Sequence, residues 1–418
     1  MLSSKPFFAL ACLLCLALPA LAEKKPNDTR SSSTDSSSTY SLYTRPKVDK
    51  IGGQPLEHWV HKLTDADPSS REDAVVAIVQ FGEDAGPYVP KICQITHDHD
   101  AAPKVKAIMA LGIMYVPETQ RSAVYKELGH SLVDPYSESI HRYEAVKSLL
   151  TLMRMRFGPP KGEERKIIMD LVKIGGSSRN NALREICIDA IMAAGIDPEK
   201  GPDSNVTDFL IKRATPAFEP AEKVRFKAIL ALGAQGQPRD KNKLGQVVYV
   251  LKHNTSRNRI VRMWTHVSLM ALGEKVPKRE LDAIANLIQE PDSQTKISAI
   301  TALGTLRDKA DPYVKDICIM AKREKDPMVL MIVAQAMGGM GNKGKHVLET
   351  LIKITEMDSP ESVGAVFAAC SALKELGVND AATMKAIEQV REHRALNAQQ
   401  KDLVKKLIED MRNPPKKR

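Results

Sequence analysis

The stretch RFKAILALG, from Arg225 to Gly233, decides the reading of the chain. A basic residue stands first, small residues follow at +3 and +6 (Ala228, Ala231), and apolar residues fill the gaps. The same frame recurs at Arg71 (Ala74, Ala77), Lys104 (Ala107, Ala110), Arg142 (Ala145, Ser148) and Arg184 (Cys187, Ala190). It returns at Arg262 (Thr265, Ser268) and Lys296 (Ala299, Ala302). Successive basic anchors lie 33 to 42 residues apart, the period of stacked helix pairs. Two further copies, at Met331 to Met337 and Gly364 to Phe367, keep small and apolar positions but lose the basic one. On a helix, +3 and +6 fall along one ridge, so small side chains there let a neighbouring helix come close. The frame is a packing code and needs no catalytic group to explain it.

Composition agrees. A chain of 418 residues has room for two or three ordinary domains, but a regular repeat favours one elongated array. The sequence is 43% hydrophobic and only 5% aromatic, with 17 Met, which suits helix on helix and argues against a sheet. The net charge of +10 and pI near 9.1 favour anionic partners. Six Cys are present. Cys12 and Cys15 sit in an apolar leader, while Cys93, Cys187, Cys318 and Cys370 fall in different repeats. Repeats touch only their neighbours, so these four are expected as buried small hydrophobes and not as disulfides or metal ligands.

Residues 1 to 22 read as a secretory signal: Lys5, an apolar run from Phe7 to Leu18, and the small-x-small site Ala20-Leu21-Ala22. A lipid anchor on Cys12 is the alternative. Export to a periplasmic or extracellular space is therefore expected, with no later segment apolar enough to span a bilayer. Residues 23 to 47, with SSSTDSSSTYS, read as a disordered tether, and 414 to 418 as a basic tail. Between them, residues 48 to 413 are expected to form about ten antiparallel helix pairs.

First helices are expected from near Pro55, Pro87, Glu118, Glu163, Asp203, Lys241, Lys278, Asp311, Lys345 and Ala381. Second helices are expected from near Arg71, Pro103, Ser137, Asn180, Glu222, Asn258, Gln294, Met328, Glu361 and Ala398. An Asp stands four residues before the anchor at Asp67, Asp100 and Asp292, placed to cap the second helix. Gly82, Gly112, Gly195, Gly233, Gly273, Gly304 and Gly377 are expected to close second helices. Trp59 is expected over the first apolar layer, and the charged last pair, Ala381 to Met411, as a terminal cap.

The basic-x-x-small-x-x-small helix, preceded by an Asp turn and ended by Leu-Gly, resembles the HEAT repeat. The short type first named for phycobiliprotein lyases is most similar, and GGQPLEHWVHKLTDADPSSREDAV looks like secreted bacterial HEAT-repeat proteins. The resemblance covers residues 50 to 412 and implies an all-α solenoid, a superhelix whose second helices line a concave face. It also implies a ladder in which turn Asp and basic residues of successive repeats stack: Arg71, Lys104, Arg184, Arg225, Arg262 and Lys296. The lost anchors at Met331 and Gly364 put the ladder in doubt beyond Lys296.

Other chemistry has thinner support. GMGNKGK (Gly339 to Lys345) imitates a phosphate loop, but it follows a helix instead of a strand, and His346 stands where Ser or Thr would bind Mg²⁺. His58 and His61, with HDHD from His97 to Asp100, resemble a metal set, yet no zinc spacing is matched and a polar turn accounts for them. No G-x-S-x-G occurs. No catalytic residue, cofactor or metal is therefore assigned.

The function expected is a non-enzymatic, exported scaffold, a monomer that binds a protein partner, acidic in character, through its concave face. The contact residues expected are those beside the ladder: Lys106, Arg142, Lys147, Lys227 and Arg257. Two alternatives stand beside it: an anion-binding module for envelope polymers, and a bilin lyase-like enzyme or chaperone implied by the resemblance. Nucleic acid is disfavoured, because aromatics are not interleaved with the basic residues.

Overall fold

A computed structural model describes residues 48–154, 163–195, 201–254, 256–396 and 398–413. The expected signal, tether and basic tail lie outside the described residues. No strand occurs among those described, where an isolated bridge between Ile51 and Gln54 is the extended pairing.

Helices come in pairs. The first five are α1 (Leu56–Lys62) with α2 (Pro68–Val79), α3 (Val89–Ile95) with α4 (Ala101–Ile113), and α5 (Arg121–Val133) with α6 (Ser139–Arg154). Then follow α7 (Glu164–Ser177) with α8 (Asn181–Ala194) and α9 (Ser204–Ala214) with α10 (Glu222–Ala234). Next are α11 (Lys241–Lys252) with α12 (Arg259–Ala271), α13 (Lys278–Asn286) with α14 (Ser293–Leu306), and α15 (Val314–Ala321) with α16 (Pro327–Met340). The last are α17 (Lys345–Thr355) with α18 (Val363–Glu375) and α19 (Ala381–Val390) with α20 (Ala398–Arg412). Every expected start falls within three residues of one of these. Asx chemistry explains many: Asp67, Asn180, Asp203, Asn258, Asp292, Asp326 and Asp380 each accept backbone N–H bonds at a helix N-cap. Short 3₁₀ helices, Gly82–Tyr88 and Arg307–Tyr313, lead into α3 and α15.

The described residues divide into two compact units, one up to Val250 and one from Leu251 onward; the division falls inside α11. Within residues 22–250, α2, α4, α6, α8 and α10 pack side by side, and α3, α5, α7 and α9 form the layer behind them. Within residues 251–418, α12, α14, α16, α18 and α20 form the same kind of layer, backed by α15, α17 and α19. The small positions of the frame meet the neighbouring helix: Ala74, Ala107, Ala145, Cys187, Ala190, Ala228, Ala231, Ala299 and Ala302 are fully buried.

Two expectations change here. Gly82, Gly195, Gly273 and Gly377 do follow second helices with positive φ. Gly112, Gly233 and Gly304 instead lie inside α4, α10 and α14. Gly112 is helical because α6 presses on it: a Cβ there would stand 2.6 Å from Ser148 Oγ and 2.7 Å from Ser148 Cα. Trp59 is half-buried and donates its indole N–H to Ile51 O at 3.1 Å, so it ties the entry segment to α1.

Candidate functional site

The basic anchors share one geometric position. Each donates its backbone N–H to the carbonyl of its N-cap residue: Arg71 to Asp67, Lys104 to Asp100, Arg142 to Glu138, Arg184 to Asn180, Arg225 to Ala221, Arg262 to Asn258 and Lys296 to Asp292. Their side chains then turn back on the carbonyls of their own turn. Arg71 Nη1 donates to Asp65 O at 2.8 Å and Arg184 Nη1 to Ser178 O at 3.0 Å. Arg225 Nη1 donates to Glu219 O and Pro220 O, both at 2.7 Å, and Arg142 Nη2 to Asp134 O at 3.0 Å. An exposed turn has carbonyls to satisfy, and a guanidinium with five donors can serve them while keeping a fork free.

The free fork reaches the next turn. Arg71 grips Asp98 with Nε (2.7 Å) and Nη2 (2.8 Å), and Nη2 also meets Asp100 at 2.7 Å. Arg184 grips Glu219 in the same bidentate way, at 2.8 and 2.7 Å, and Lys296 reaches Glu324 at 2.6 Å. The accepting acid stands two residues before the N-cap, not at it. Asp98, Glu219 and Glu324 accept the N–H of Asp100, Ala221 and Asp326 at 2.9, 3.0 and 3.0 Å. One carboxylate thus orders its own turn and bonds the preceding repeat. Asp100, expected as a side-chain cap, makes no such bond, since its carboxylate is turned to Arg71.

Electrostatics follow. The Arg71 bond holds the Asp98 carboxyl below its usual value, against the opposing effect of burial. Burial would raise Glu219, but Arg184, the Ala221 N–H and Arg213 outweigh it and the net shift is downward. Burial likewise opposes the lowering of Glu324 by Lys296 and two backbone N–H groups. Glu219 is wholly buried, and Arg213 Nη1 gives it a further bond at 3.0 Å.

Rungs are missing elsewhere. Arg142 faces a following turn whose corresponding residue is Ser178, and its Nε is buried without a partner. Arg262 is exposed, and Glu290 in the next turn is taken by Arg259 at 2.9 Å. Lys104 is near enough to Asp134 to help lower its carboxyl, after the Tyr136 N–H bond that dominates. Arg225 serves its own turn. In α16 the position is held by Leu330, which donates to Asp326 O; the frame there is one residue earlier than the Met331 alignment. Leu330 is 4% exposed.

The expected contact residues separate. Arg257 is exposed. Lys106 is partly exposed and Lys147 exposed, at 3.4 Å from Glu72 and 3.3 Å from Glu144. Arg142 is half-buried. Lys227 corrects the expectation of an exposed contact: it is 2% exposed, with Nζ 2.9 and 3.0 Å from the Asp189 carboxylate oxygens. Two residues past the anchor, its side chain on α10 runs between helices to α8, where an acid awaits it.

The remaining candidates serve local structure. His97 Nε2 lies 2.6 Å from Glu127, while Asp98 and Asp100 are bound to Arg71. Gly339 and Met340 end α16, Gly341 is left-handed, and Asn342 Oδ1 accepts the Gly344 N–H at 2.7 Å, so the glycine-rich segment is a turn between helices. Cys187, Cys318 and Cys370 are buried and Cys93 partly so, all as free thiols. Burial pushes Cys93, Cys187 and Cys370 up to about 12, far from the thiolate that nucleophilic chemistry needs.

Sequence reasoning passed over two aromatics. Tyr136 is 91% exposed and Phe218 60% exposed. Both stand on bonded turns: the Tyr136 N–H donates to Asp134 Oδ1 at 3.0 Å, and the Phe218 N–H to Thr215 O at 3.0 Å. The available signal was an aromatic enclosed by turn formers, DPYS and TPAFEP, where no helical face can bury it.

No family model matches the chain, and no curated protein does. Solved structures do. A crystal structure of importin beta in an ammonium sulfate condition is similar at 12% identity, covering 98% of this chain and 55% of that one, with a TM-score of 0.50. A complex of Kap95p with RanGDP matches at 14% identity over 85% of this chain and 50% of that one, TM-score 0.40. An engineered protein matches at 16% over 86% and 99%, TM-score 0.39. The chain spans about half the length of importin beta and of the Kap95p complex chain. The likeness to importin beta shows the fold alone, an all-α solenoid of HEAT-like helix pairs. No helix among the described residues is long and apolar enough to cross a membrane.

Proposed function

We propose that the chain is an exported, non-enzymatic scaffold that holds a protein partner on the open face of its second-helix layer and the adjoining turns. The observation that carries this reading is where the polarity goes. The anchor pairs Arg71–Asp98 and Arg184–Glu219 are spent inside the repeats, while Tyr136 and Phe218 stand in water on turns that are already ordered. Rigid exposed aromatics bring contact area at little entropic cost, which is how interface anchors work. Arg142, Lys106, Lys147 and Arg257 supply a polar surround in this reading. The fold class, widely used for binding, supports it only as analogy.

The test is capture of a partner from envelope extract by the full chain and by Tyr136→Ala/Phe218→Ala. The expected result is one protein retained by the wild type at high salt and lost by the double variant. A second reading, an anion-binding module for envelope polymers, is favoured by Arg257 and Arg262, which are exposed and in no ion pair among the described residues. Complete loss of retention at high salt, with the double variant unaffected, would select that reading instead.

A further inference from the structure

The lost anchors at α16 and α18 mark a change in surface character that the ladder does not explain. No charged residue occurs from Met328 to Gly339 or from Gly364 to Ser371. In residues 22–250, by contrast, the same layer shows Glu72, Lys106, Arg142 and Lys147 at least partly to solvent. On α16, Met328 is 51% exposed, and Met331 and Gln335 follow on the same side, half-buried. On α18, Gly364 and Ser371 are exposed and Phe367 is half-buried. The two helices run parallel and in register. A Cβ on Gly364 would lie 3.3 Å from Met331 Sδ, and one on Gly338 3.1 Å from Ala372 Cα. The outcome is a shallow strip with low walls, uncharged along its length until Glu375, whose Oε2 would lie 2.9 Å from a Cβ on Gly338, and lined by flexible thioethers that adapt to what lies on them.

At the end opposite Glu375, two turns carry the charge. The turn KREKDP before α16 has three basic residues against two acids, and the acids are used internally. Glu324 is bound to Lys296 and to the N–H groups of Lys325 and Asp326, and Asp326 caps α16 through the Met328 N–H. Lys322, Arg323 and Lys325 are left exposed and in no ion pair among the described residues. The turn before α18 has the opposite sign: Glu356 and Glu361 are exposed, and Asp358, also exposed, accepts the Arg394 N–H at 3.4 Å.

We infer that the strip between α16 and α18 is a docking surface for an amphipathic helix of a partner protein. Its apolar side would cover Met328, Met331 and Phe367, an acidic flank would meet Lys322, Arg323 and Lys325, and a basic flank would meet Glu356 and Glu361. A helix fits because the exposed Met328 and the half-buried Met331 and Phe367 give its apolar side a surface to cover, and the opposed turns fix which flank lies over which helix. The inference rests on the reading of the chain as a protein-binding scaffold and names one surface and one partner class for it.

Two synthetic helical peptides test it against the full chain, by fluorescence anisotropy. Both carry Leu at i, i+3, i+4 and i+7; the first has Glu on one flank and Lys on the other, and the second has Lys on both. The wild type is expected to prefer the first. Met328→Glu, on an exposed position that leaves packing intact, is expected to weaken it about tenfold or more. Lys322→Glu/Arg323→Glu/Lys325→Glu makes both turns acidic and is expected to reverse the preference. Equal affinity of wild type and both variants, absence of any crossover, or failure of either peptide to bind would overturn the assignment. If neither peptide binds while the full chain still retains a protein partner insensitive to these substitutions, this surface falls and the scaffold reading stands. If no protein is retained under any condition, the scaffold reading falls with it.

Discussion

Arg184 and Glu219 show what a single ion pair does here. The acid is wholly buried and the base is 5% exposed, so neither charge has water to fall back on. Replacing Arg184 with Met would leave Glu219 to Arg213 and one backbone N–H. Removal of one partner from a buried pair costs about 3–5 kcal/mol, and urea unfolding is expected to show a loss of that order. Lys106→Ala, at a partly exposed pair, should move stability by roughly half a kcal/mol or less; a comparable loss at both sites would contradict the distinction. Acid should act through the same groups. Asp98, Glu219 and Glu324 have carboxyls depressed in the folded chain, so their contribution is full above the ordinary values of 3.8 and 4.5 and declines as pH falls below them. Circular-dichroism melts are expected to fall through that window, and His141 and His266, held below the ordinary 6.5 by burial, withdraw a further part as pH drops below that value. The thiols make a third check. With Cys187 and Cys370 raised to about 12 by burial, labelling of these two by a thiol reagent should be negligible in the native chain and complete after unfolding.

At the scale of the element, helix spacing is set by what little stands between helices. Gly112→Ala would gain up to about 1 kcal/mol of helix propensity, yet its Cβ would meet the Ser148 backbone at 2.7 Å. Overpacking of this kind typically costs about 1–3 kcal/mol, so a net lower melting temperature is expected, and an increase would refute the contact. The turns carry the converse case. Ser178 stands where Asp98, Glu219 and Glu324 stand, already accepting the N–H of its N-cap residue Asn180 at 3.1 Å. Ser178→Asp keeps that acceptor and offers Arg142 a carboxylate. Stabilisation by roughly 0.5–1 kcal/mol is expected, and a double-mutant cycle with Arg142→Met should show that the gain depends on the arginine.

For the whole molecule, the sequence made the pairing of helices, their caps and the small ridges legible, because each rests on local chemistry repeated along the chain. Arg71 and Lys296 also revealed their part as anchors. The acceptor did not: an acid at the N-cap and one two residues earlier look alike in TDADPSS or HDHD until the backbone shows which N–H each receives. Lys227 misled for a related reason, since burial of a lysine depends on an Asp on another helix, 38 residues away. Tyr136 and Phe218 were hidden by the habit of assigning aromatics to a core. What repeats in a sequence discloses the scaffold, and what breaks the repeat discloses surface.

The rungs also have a direction. Their buried bonds join only the edge formed by first-to-second turns, whereas pairs at the opposite edge, such as Arg165 with Asp203 at 3.3 Å, include a side chain 79% exposed. Each unit therefore has a grain, like wood braced along one side. Flexing that pries the braced side apart must tear desolvated contacts, while flexing the other way only slides wet ones. Cargo resting on such a surface would find it unyielding along one bend and compliant along the other.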